Sequence, residues 1–235
     1  MNPNDHRLFL NQFYTGRHEA TFANGLPFQE NLETGDTRIS GSCASLVGLE
    51  RALNDGNADE IELALRRHLL IHGVIFTIGG IPLIYSGDEL GQLNDYSFQD
   101  DEEKSLDSRW VHRAPFDWKA ALLRTDSADF RGRLFHGILQ LSQLRQTNLA
   151  FTRSETEIVD VANPHVLGYF RHHPEQTALM LANFTESPQQ ISGAKLRQLG
   201  LRRTFTDLFA GQLLSATQAL DMAPYQFMVL VGQSR

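Results

Sequence analysis

Residues 79–89 constrain the fold more than any other part of the sequence. They run Gly-Gly-Ile-Pro-Leu-Ile-Tyr-Ser-Gly-Asp-Glu, so a short apolar segment between glycines ends in two adjacent carboxylates. A strand without a polar face must be buried on both sides, which is typical of a parallel α/β sheet. We therefore predict that residues 81–85 form a buried strand with neighbouring strands on both edges.

Helical periodicity lies on either side of this segment. Residues 57–78 are predicted to form a helix capped by Asn57 or Asp59, and residues 130–146 a second helix. Their apolar stripes are Ile61, Leu65 and Leu69 in the first, and Leu134, Ile138, Leu141 and Leu144 in the second. The order helix, strand, long loop, helix is typical of a (β/α) architecture, in which the loops at the carboxyl ends of the strands carry the chemistry.

After Asn148 the sequence changes character, because short runs of β-branched and aromatic residues alternate with turn signals. This pattern predicts a small antiparallel β module. A closed barrel needs roughly 250 residues, whereas the chain has 235. The sequence therefore predicts the last part of a (β/α)8 barrel over residues 1–149, followed by an antiparallel β domain over residues 150–235.

Composition limits the classes of partner. Lys and Arg number 21 against 28 Asp and Glu, and the net charge of −7 disfavours nucleic acid and anionic membranes as partners. Apolar stretches fall short of the roughly 20 residues that a membrane span needs, and the N-terminus has no signal-peptide core. The single cysteine, Cys43, excludes an internal disulfide, which fits a reducing, cytoplasmic location.

Several polar residues have two interpretations. Asp88 and Glu89 form either a general acid/base pair or a structural turn. The turn is favoured, because successive side chains on an extended backbone point to opposite faces and would not share one catalytic task. The acidic block 100–103 is either a hard-cation site or a solvated loop, and its spacing favours the loop. His68, His72 and His136 are interpreted as packing or surface residues, so no metal site is expected.

Two loop segments suggest ligand binding. Residues 107–113 place Arg109 beside Trp110, a pairing suited to carboxylates and to the faces of sugar rings. In the competing interpretation, Asp107 and Arg109 only tie down a long loop. Residues 5–41 combine glycines, aromatic residues and arginines in an irregular pattern, which indicates a binding loop.

Longer motifs resemble a known family. Gly80-Ile-Pro-Leu-Ile-Tyr85-x-Gly-Asp-Glu89 looks like the eighth barrel strand of the alpha-amylase family of glycoside hydrolases. Five further motifs narrow the resemblance to its amylosucrase and sucrose hydrolase group, over nearly the whole chain. They are Asp5-His-Arg7-x-Phe-Leu-Asn11, Pro27-Phe-Gln-x-Asn31, Thr34-Gly-Asp-x-Arg38-x-Ser-Gly41, Gly91-x-Leu-Asn-Asp95 and Asp107-Ser-Arg-Trp-x-His-Arg113.

The resemblance implies retaining transfer of glucose from sucrose to an α-glucan or to water. In the family, the three catalytic carboxylates follow barrel strands four, five and seven, and no residue of this sequence matches them. No catalytic residue is therefore assigned, and the chain alone is expected to be inactive. The family's reaction implies neither a cofactor nor a metal.

What carries over is part of a substrate site. Arg109 matches the arginine at the base of the family's glucose pocket, and Arg7 and Arg38 match arginines on the acceptor and fructose side. The resemblance puts Arg7 and Arg38 on a subdomain inserted at about residues 10–56. The expected partners are sucrose, an α-glucan or other sugar, and the missing amino-terminal barrel portion. The alternative is a free-standing carbohydrate-binding or interaction module built on the β domain.

Overall fold

A computed structural model describes residues 2–201 and 203–232. These residues form two compact units. The first contains the described residues up to His68 together with residues 84–135, and the second contains residues 69–83 together with the described residues from His136 onward. Each unit is therefore assembled from separate stretches of sequence.

Helices dominate the first unit and its borders. They are α1 (Pro3–Tyr14), α2 (Cys43–Leu46), α3 (Leu49–Asp55), α4 (Ala58–Thr77) and α5 (Phe130–Thr147). The Asn57 side chain caps α4, since its Oδ1 accepts hydrogen bonds from the amides of Asp59 at 3.1 Å and Glu60 at 3.2 Å. The two predicted helices are confirmed. No helix of residues 2–201 and 203–232 is both long and apolar enough to cross a membrane.

The helix α1 was missed, because residues 5–41 were interpreted throughout as an irregular loop. Asn2 caps it by accepting a hydrogen bond from the Asn4 amide at 3.0 Å, and Pro3 occupies its first turn. Both are standard signals of a helix start. The next elements are a short antiparallel hairpin of β1 (Leu26–Phe28) and β2 (Arg38–Ser40).

The long loop between α4 and α5 is built from four 3-10 turns, at Asp88–Leu90, Ser97–Asp100, Ser108–His112 and Ala120–Thr125. Asn94 fixes its path. Its amide donates to Ser45 Oγ at 2.9 Å and its Oδ1 accepts from the Ser42 amide at 2.8 Å. Nearby, the Tyr96 hydroxyl donates to the buried Glu50 at 2.9 Å. These bonds satisfy polar groups that would otherwise be costly to bury.

The prediction of a buried strand at residues 81–85 is wrong for this structure. The segment forms no strand, and Ile81 and Leu83 are 96% and 83% exposed. An extended segment becomes a strand only when a neighbour satisfies its backbone groups. No strand of the described part of the chain pairs with it.

The second unit contains the predicted antiparallel sheet. Its six strands are ordered β3-β4-β5-β10-β7-β8, and a separate pair joins β6 to β9. Their bounds are β3 Glu155–Val159, β4 Val166–His173, β5 Gln176–Asn183, β6 Gln189–Ile191, β7 Thr204–Asp207, β8 Gln212–Ser215, β9 Leu220–Met222 and β10 Phe227–Gly232, with α6 (Gly193–Gln198) between β6 and β7. Every pairing among them is antiparallel.

The central strands β5 and β10 are buried on both faces. On one face, apolar side chains such as Leu181, Phe205 and Leu230 form the core. On the other, the last turns of α4 approach the sheet so closely that a Cβ on Gly73 would lie 2.5 Å from the Phe227 ring. The hydroxyls of Thr77 and Tyr169 are hydrogen bonded there at 2.6 Å.

Two arginines of the second unit hold the end of α4. Arg145 donates to the carbonyls of Phe76 at 2.5 Å and Gly80 at 2.6 Å, and Arg171 donates to that of Ile78 at 3.1 Å. Burial and the nearby Arg145 lower the pKa of Arg171. Cations at a helix carboxyl end satisfy free carbonyls and oppose the helix dipole. The start of the exposed segment 81–85 is thereby fixed.

Candidate functional site

The β1–β2 hairpin is the scaffold of the candidate site. Phe28 on β1 pairs directly with Arg38 on β2. The Thr37 hydroxyl reinforces this end of the hairpin, because it bonds both the amide and the carbonyl of Phe28 at 3.2 Å. Directly opposed residues project their side chains on the same face of a sheet. The exposed Arg38 and the Phe28 ring therefore share one face.

Arg109 reaches the same ring from the loop 107–113. Its guanidinium carbon lies 4.5 Å from the centroid of Phe28. Ser108 ties the loop to the hairpin by donating a hydrogen bond to the Pro27 carbonyl at 2.7 Å. Phe28 thus carries one predicted site arginine over its face and another as its cross-strand partner.

The partner of Arg109 in this structure is Asp107. Nε donates to Oδ1 at 2.9 Å and Nη2 to Oδ2 at 2.7 Å, and the Arg109 amide also bonds Oδ1 at 3.0 Å. These hydrogen bonds lower the pKa of Asp107 to about 2. Both side chains are partly exposed. The Nη1 group of Arg109 makes no hydrogen bond among the described residues, and it remains available to a ligand or a second carboxylate.

Arg7 lies near the hairpin through a different contact. Its Nε is 3.4 Å from Asp36 Oδ1, an oxygen that also accepts a hydrogen bond from Asn11 at 3.0 Å. The Arg7 and Asp36 side chains are 62% and 41% exposed, so this ion pair adds little stability. All three predicted arginines belong to the first unit. Arg38 and Arg109 are brought together on Phe28, while Arg7 contacts Asp36 in the connection that leads into β2.

An open cavity of about 410 Å³ adjoins this hairpin in the first unit, with α1 along one side. Arg17 and Glu30 form an ion pair on its wall, and the hydrogen bond from Arg17 lowers the pKa of Glu30. Gln12 and His18 also line the cavity. Its walls combine charged and polar groups with apolar surface such as Leu8, a mixture that suits a sugar with its hydroxyl rim and C–H face.

Asp88 and Glu89 lie in a tight turn. Gly87 has a φ of 98°, and Glu89 Oε2 accepts a hydrogen bond from the Gly87 amide at 2.9 Å. The Asp88 carbonyl lies 3.0 Å from His68 Nε2. Because Glu89 bonds its own turn, the structural interpretation of this pair is favoured over an acid/base pair.

The acidic block behaves as a turn as well. The two oxygens of Asp101 bond the Lys104 ammonium at 2.5 Å and the Glu103 amide at 3.0 Å. These hydrogen bonds lower the pKa of Asp101. A carboxylate that is occupied by its own loop is a poor ligand for a hard cation.

The histidines were interpreted as packing or surface groups. His68 and His72, one turn apart on α4, are 0% and 2% exposed, whereas His136 is exposed. Cys43 Sγ and a ring nitrogen of His68 lie within 4.8 Å of each other. Burial and the nearby Asp88 raise the pKa of the Cys43 thiol to about 12. Two ligand atoms fall short of the four that a structural zinc site needs, so we assign no metal to this pair.

Phe28 and His112 are the members of the site that sequence reasoning missed. The His112 ring packs edge-on against Tyr85, with centroids 5.9 Å apart. Burial and the neighbouring Arg113 lower the pKa of His112, so its ring is neutral at neutral pH. Both stood inside quoted motifs, but neither was given a role, and the place of Phe28 depends on the hairpin register, which the sequence did not reveal.

Known proteins place this arrangement in a class. The crystal structure of AmyP in complex with maltose is 19% identical and covers 79% of this chain and 37% of its own, with a TM-score of 0.59. The trehalulose synthase MutB from Pseudomonas mesoacidophila is 20% identical and covers 71% of this chain and 38% of its own, with a TM-score of 0.51. By fold, the chain resembles the carboxyl-terminal part of alpha-amylase family enzymes.

The particular resemblance comes from the sequence. Residues 156–231 match the family model described as the amylosucrase C-terminal domain. Glucosylglycerate phosphorylase of Escherichia coli (strain K12) is 26% identical over 128 residues, which are 54% of this chain and 22% of that protein. The predicted resemblance to the amylosucrase branch of the alpha-amylase family is confirmed. The chain spans less than two fifths of the length of each of these relatives.

Proposed function

We propose that this chain is the carboxyl-terminal portion of an amylosucrase-like enzyme. The enzyme would transfer glucose from sucrose to an α-glucan or to water with retention of configuration. The observation that carries the proposal is the match of residues 156–231 to the amylosucrase C-terminal domain. A mutant of the relative MutB was crystallised with the substrate sucrose, and AmyP with maltose.

The proposed architecture keeps the predicted division. Residues 1–149 would complete a (β/α)8 barrel, with the inserted subdomain at about residues 10–56, and residues 150–235 would form the β domain. Residues 81–85 would then be the eighth strand. Their exposed apolar side chains and unpaired backbone support this role, because such an edge is normally covered by another strand.

In the proposed mechanism, one carboxylate attacks the anomeric carbon while a second protonates the departing fructose and later activates the acceptor. Both would come from the amino-terminal barrel portion. Arg109 would contribute to the base of the glucose pocket, and its unengaged Nη1 group is the donor for a carboxylate of that portion. Arg7 and Arg38 would bind hydroxyls on the acceptor and fructose side.

We propose sucrose and an α-glucan as ligands, the amino-terminal barrel portion as partner, and neither nucleic acid nor membrane as a further partner. The chemistry of glucosyl transfer calls for no cofactor. The cytoplasmic location stays a prediction based on the single cysteine.

The test also includes a second reaction, phosphorolysis, since the Escherichia coli relative is named as a phosphorylase. In that case inorganic phosphate rather than a glucan hydroxyl would accept the glucosyl group. The remaining steps and the roles of the three arginines would be unchanged.

The test measures fructose released from sucrose by the chain alone, and by the chain supplied with the amino-terminal portion of an amylosucrase. We expect no release by the chain alone and clear release by the pair, with or without phosphate. Activity that requires phosphate would identify the phosphorylase instead. Release by the purified chain alone would overturn the assignment of catalysis to the amino-terminal portion.

A further inference from the structure

An aromatic pair with one exposed ring lies in the first unit outside the arginine site. Trp118 is 77% exposed. Its ring packs edge-on against Phe116 with centroids 4.8 Å apart, and its backbone amide donates to the Phe116 carbonyl at 3.1 Å. An exposed indole offers a large, rigid apolar face that a ligand can cover. The two rings therefore form a ready-made apolar platform.

A small cavity of mixed lining adjoins this platform through Asp117. It measures about 200 Å³, and apolar residues such as Leu90 and Phe130 line it together with Gln92, Asp117 and Arg131. Asp117, which stands between the two aromatic residues in sequence, contributes a carboxylate, and Gln92 and Arg131 add an amide and a guanidinium. Ligand pockets for larger molecules measure about 300–1,000 Å³, so this cavity suits a single ring.

The surrounding hydrogen bonds hold these groups in place. Asp117 Oδ1 accepts from the amides of Lys119 and Ala120, both at 2.9 Å, and so caps the 3-10 turn Ala120–Thr125. Gln92 donates to the Pro115 carbonyl at 3.0 Å. A site whose side chains are already ordered loses less entropy when a ligand binds.

We propose that Trp118, Phe116 and the adjoining cavity form a second carbohydrate-binding site that takes one glucosyl unit of an α-glucan. A pyranose has an apolar face of C–H groups, which matches the indole, and a rim of hydroxyls, which matches a carboxylate, an amide and a guanidinium. The choice of α-glucan rests on the proposed function. The site would hold the polymer without taking part in the reaction.

The test is retardation of the full chain by glycogen in native gels, with a β-linked glucan as the comparison polysaccharide. Trp118→Ala should weaken retardation by glycogen roughly tenfold, and Trp118→Phe should keep most of it. The matched control is Leu122→Ala, because Leu122 is 73% exposed in the same segment. It should bind like the parent chain.

Three results would overturn the proposal: no effect of Trp118→Ala, an equal effect of Leu122→Ala, or a shift of Trp118→Ala toward a smaller particle in sedimentation. The last would identify the platform as a protein contact. Circular dichroism of each variant verifies that the fold is retained. Because the chain alone is expected to be inactive, glycogen retardation reports on this site independently of sucrose turnover, so either proposal can fail without the other.

Discussion

Arg109 has two candidate roles, one in its own loop and one in the glucose pocket. Substitutions of Arg109 and of its partner Asp107 distinguish them. In this structure it is held by Asp107, so it stabilises its own loop. In the proposed enzyme it would also meet a carboxylate at the base of the glucose pocket. The two roles differ in whether Asp107 is needed for Arg109 to act.

We predict that Arg109→Ala lowers sucrose turnover of the enzyme, assembled from this chain and its amino-terminal portion, by about 100-fold or more, because substrate positioning is lost. Lysine should rescue little, since an ammonium cannot reproduce the planar fork of the guanidinium. Asp107→Asn removes only the loop ion pair and should cost far less. Arg113→Ala, which removes a cation over Trp110, should stay within a few fold of the parent enzyme.

Equal losses for Arg109→Ala and Asp107→Asn would assign Arg109 to the loop alone. Turnover of Arg109→Ala close to that of the parent would remove it from the site altogether. Steady-state rates of fructose release for the four variants are the measurement.

Among the elements, α4 is the one whose packing depends most on a single small residue. Gly73 faces Phe227 on the central strand β10, and a Cβ there would lie 2.5 Å from the ring. We predict that Gly73→Val lowers the free energy of unfolding by about 1–3 kcal/mol, the usual cost of overpacking. The gain in helix propensity offsets only a few tenths of a kcal/mol.

The matched variant is Gly73→Val combined with Phe227→Leu, which makes room beside the helix. It should recover part of the loss, as expected for residues in direct contact. Urea unfolding of the single and double variants measures both values. Additive effects would show that the two residues do not touch.

The elements differ in how far the sequence predicted them. The apolar stripes of α4 and α5 predicted both helices, and the runs of β-branched and aromatic residues after Asn148 predicted the antiparallel sheet. The helix α1 was missed because the glycines and aromatic residues of residues 5–41 were interpreted as one irregular loop, although Asn2 and Pro3 signalled its start. The segment 81–85 has the composition of a strand, but whether it forms one depends on a partner strand that its own sequence cannot specify.

The sequence predicted the residues of the site but not their arrangement, because the arrangement depends on how separate segments pair. Motifs located Arg7, Arg38 and Arg109, yet their grouping depends on which residue of β1 faces which residue of β2. The two strands are separated by a nine-residue connection. No local sequence pattern determines the geometry of this connection or the register that it sets. The position of Arg109 over Phe28 follows from the same register.

At the scale of the whole molecule, the exposed side chains of Ile81 and Leu83 should govern behaviour in solution. Unpaired, apolar extended segments associate with one another. We predict that the chain self-associates at micromolar concentration, and that Ile81→Lys with Leu83→Lys shifts it toward monomer. Leu106→Lys is the control, because Leu106 is 99% exposed but lies in a separate loop.

Analytical ultracentrifugation of the three proteins is the measurement. A parent chain that sediments as a single monomeric species would contradict the prediction. So would a Leu106→Lys variant that dissociates as well as the doubly substituted chain does.

The close contact of Gly73 and Thr77 with the sheet also bears on how such a protein can evolve. A recombination event that moved only residues 150–235 into another gene would leave behind the helical residues that cover Phe227 and Tyr169. The recipient would have to supply a new cover of the same shape. The sheet is therefore expected to be inherited together with the helix that precedes it, and to be exchanged between proteins only as part of that larger piece.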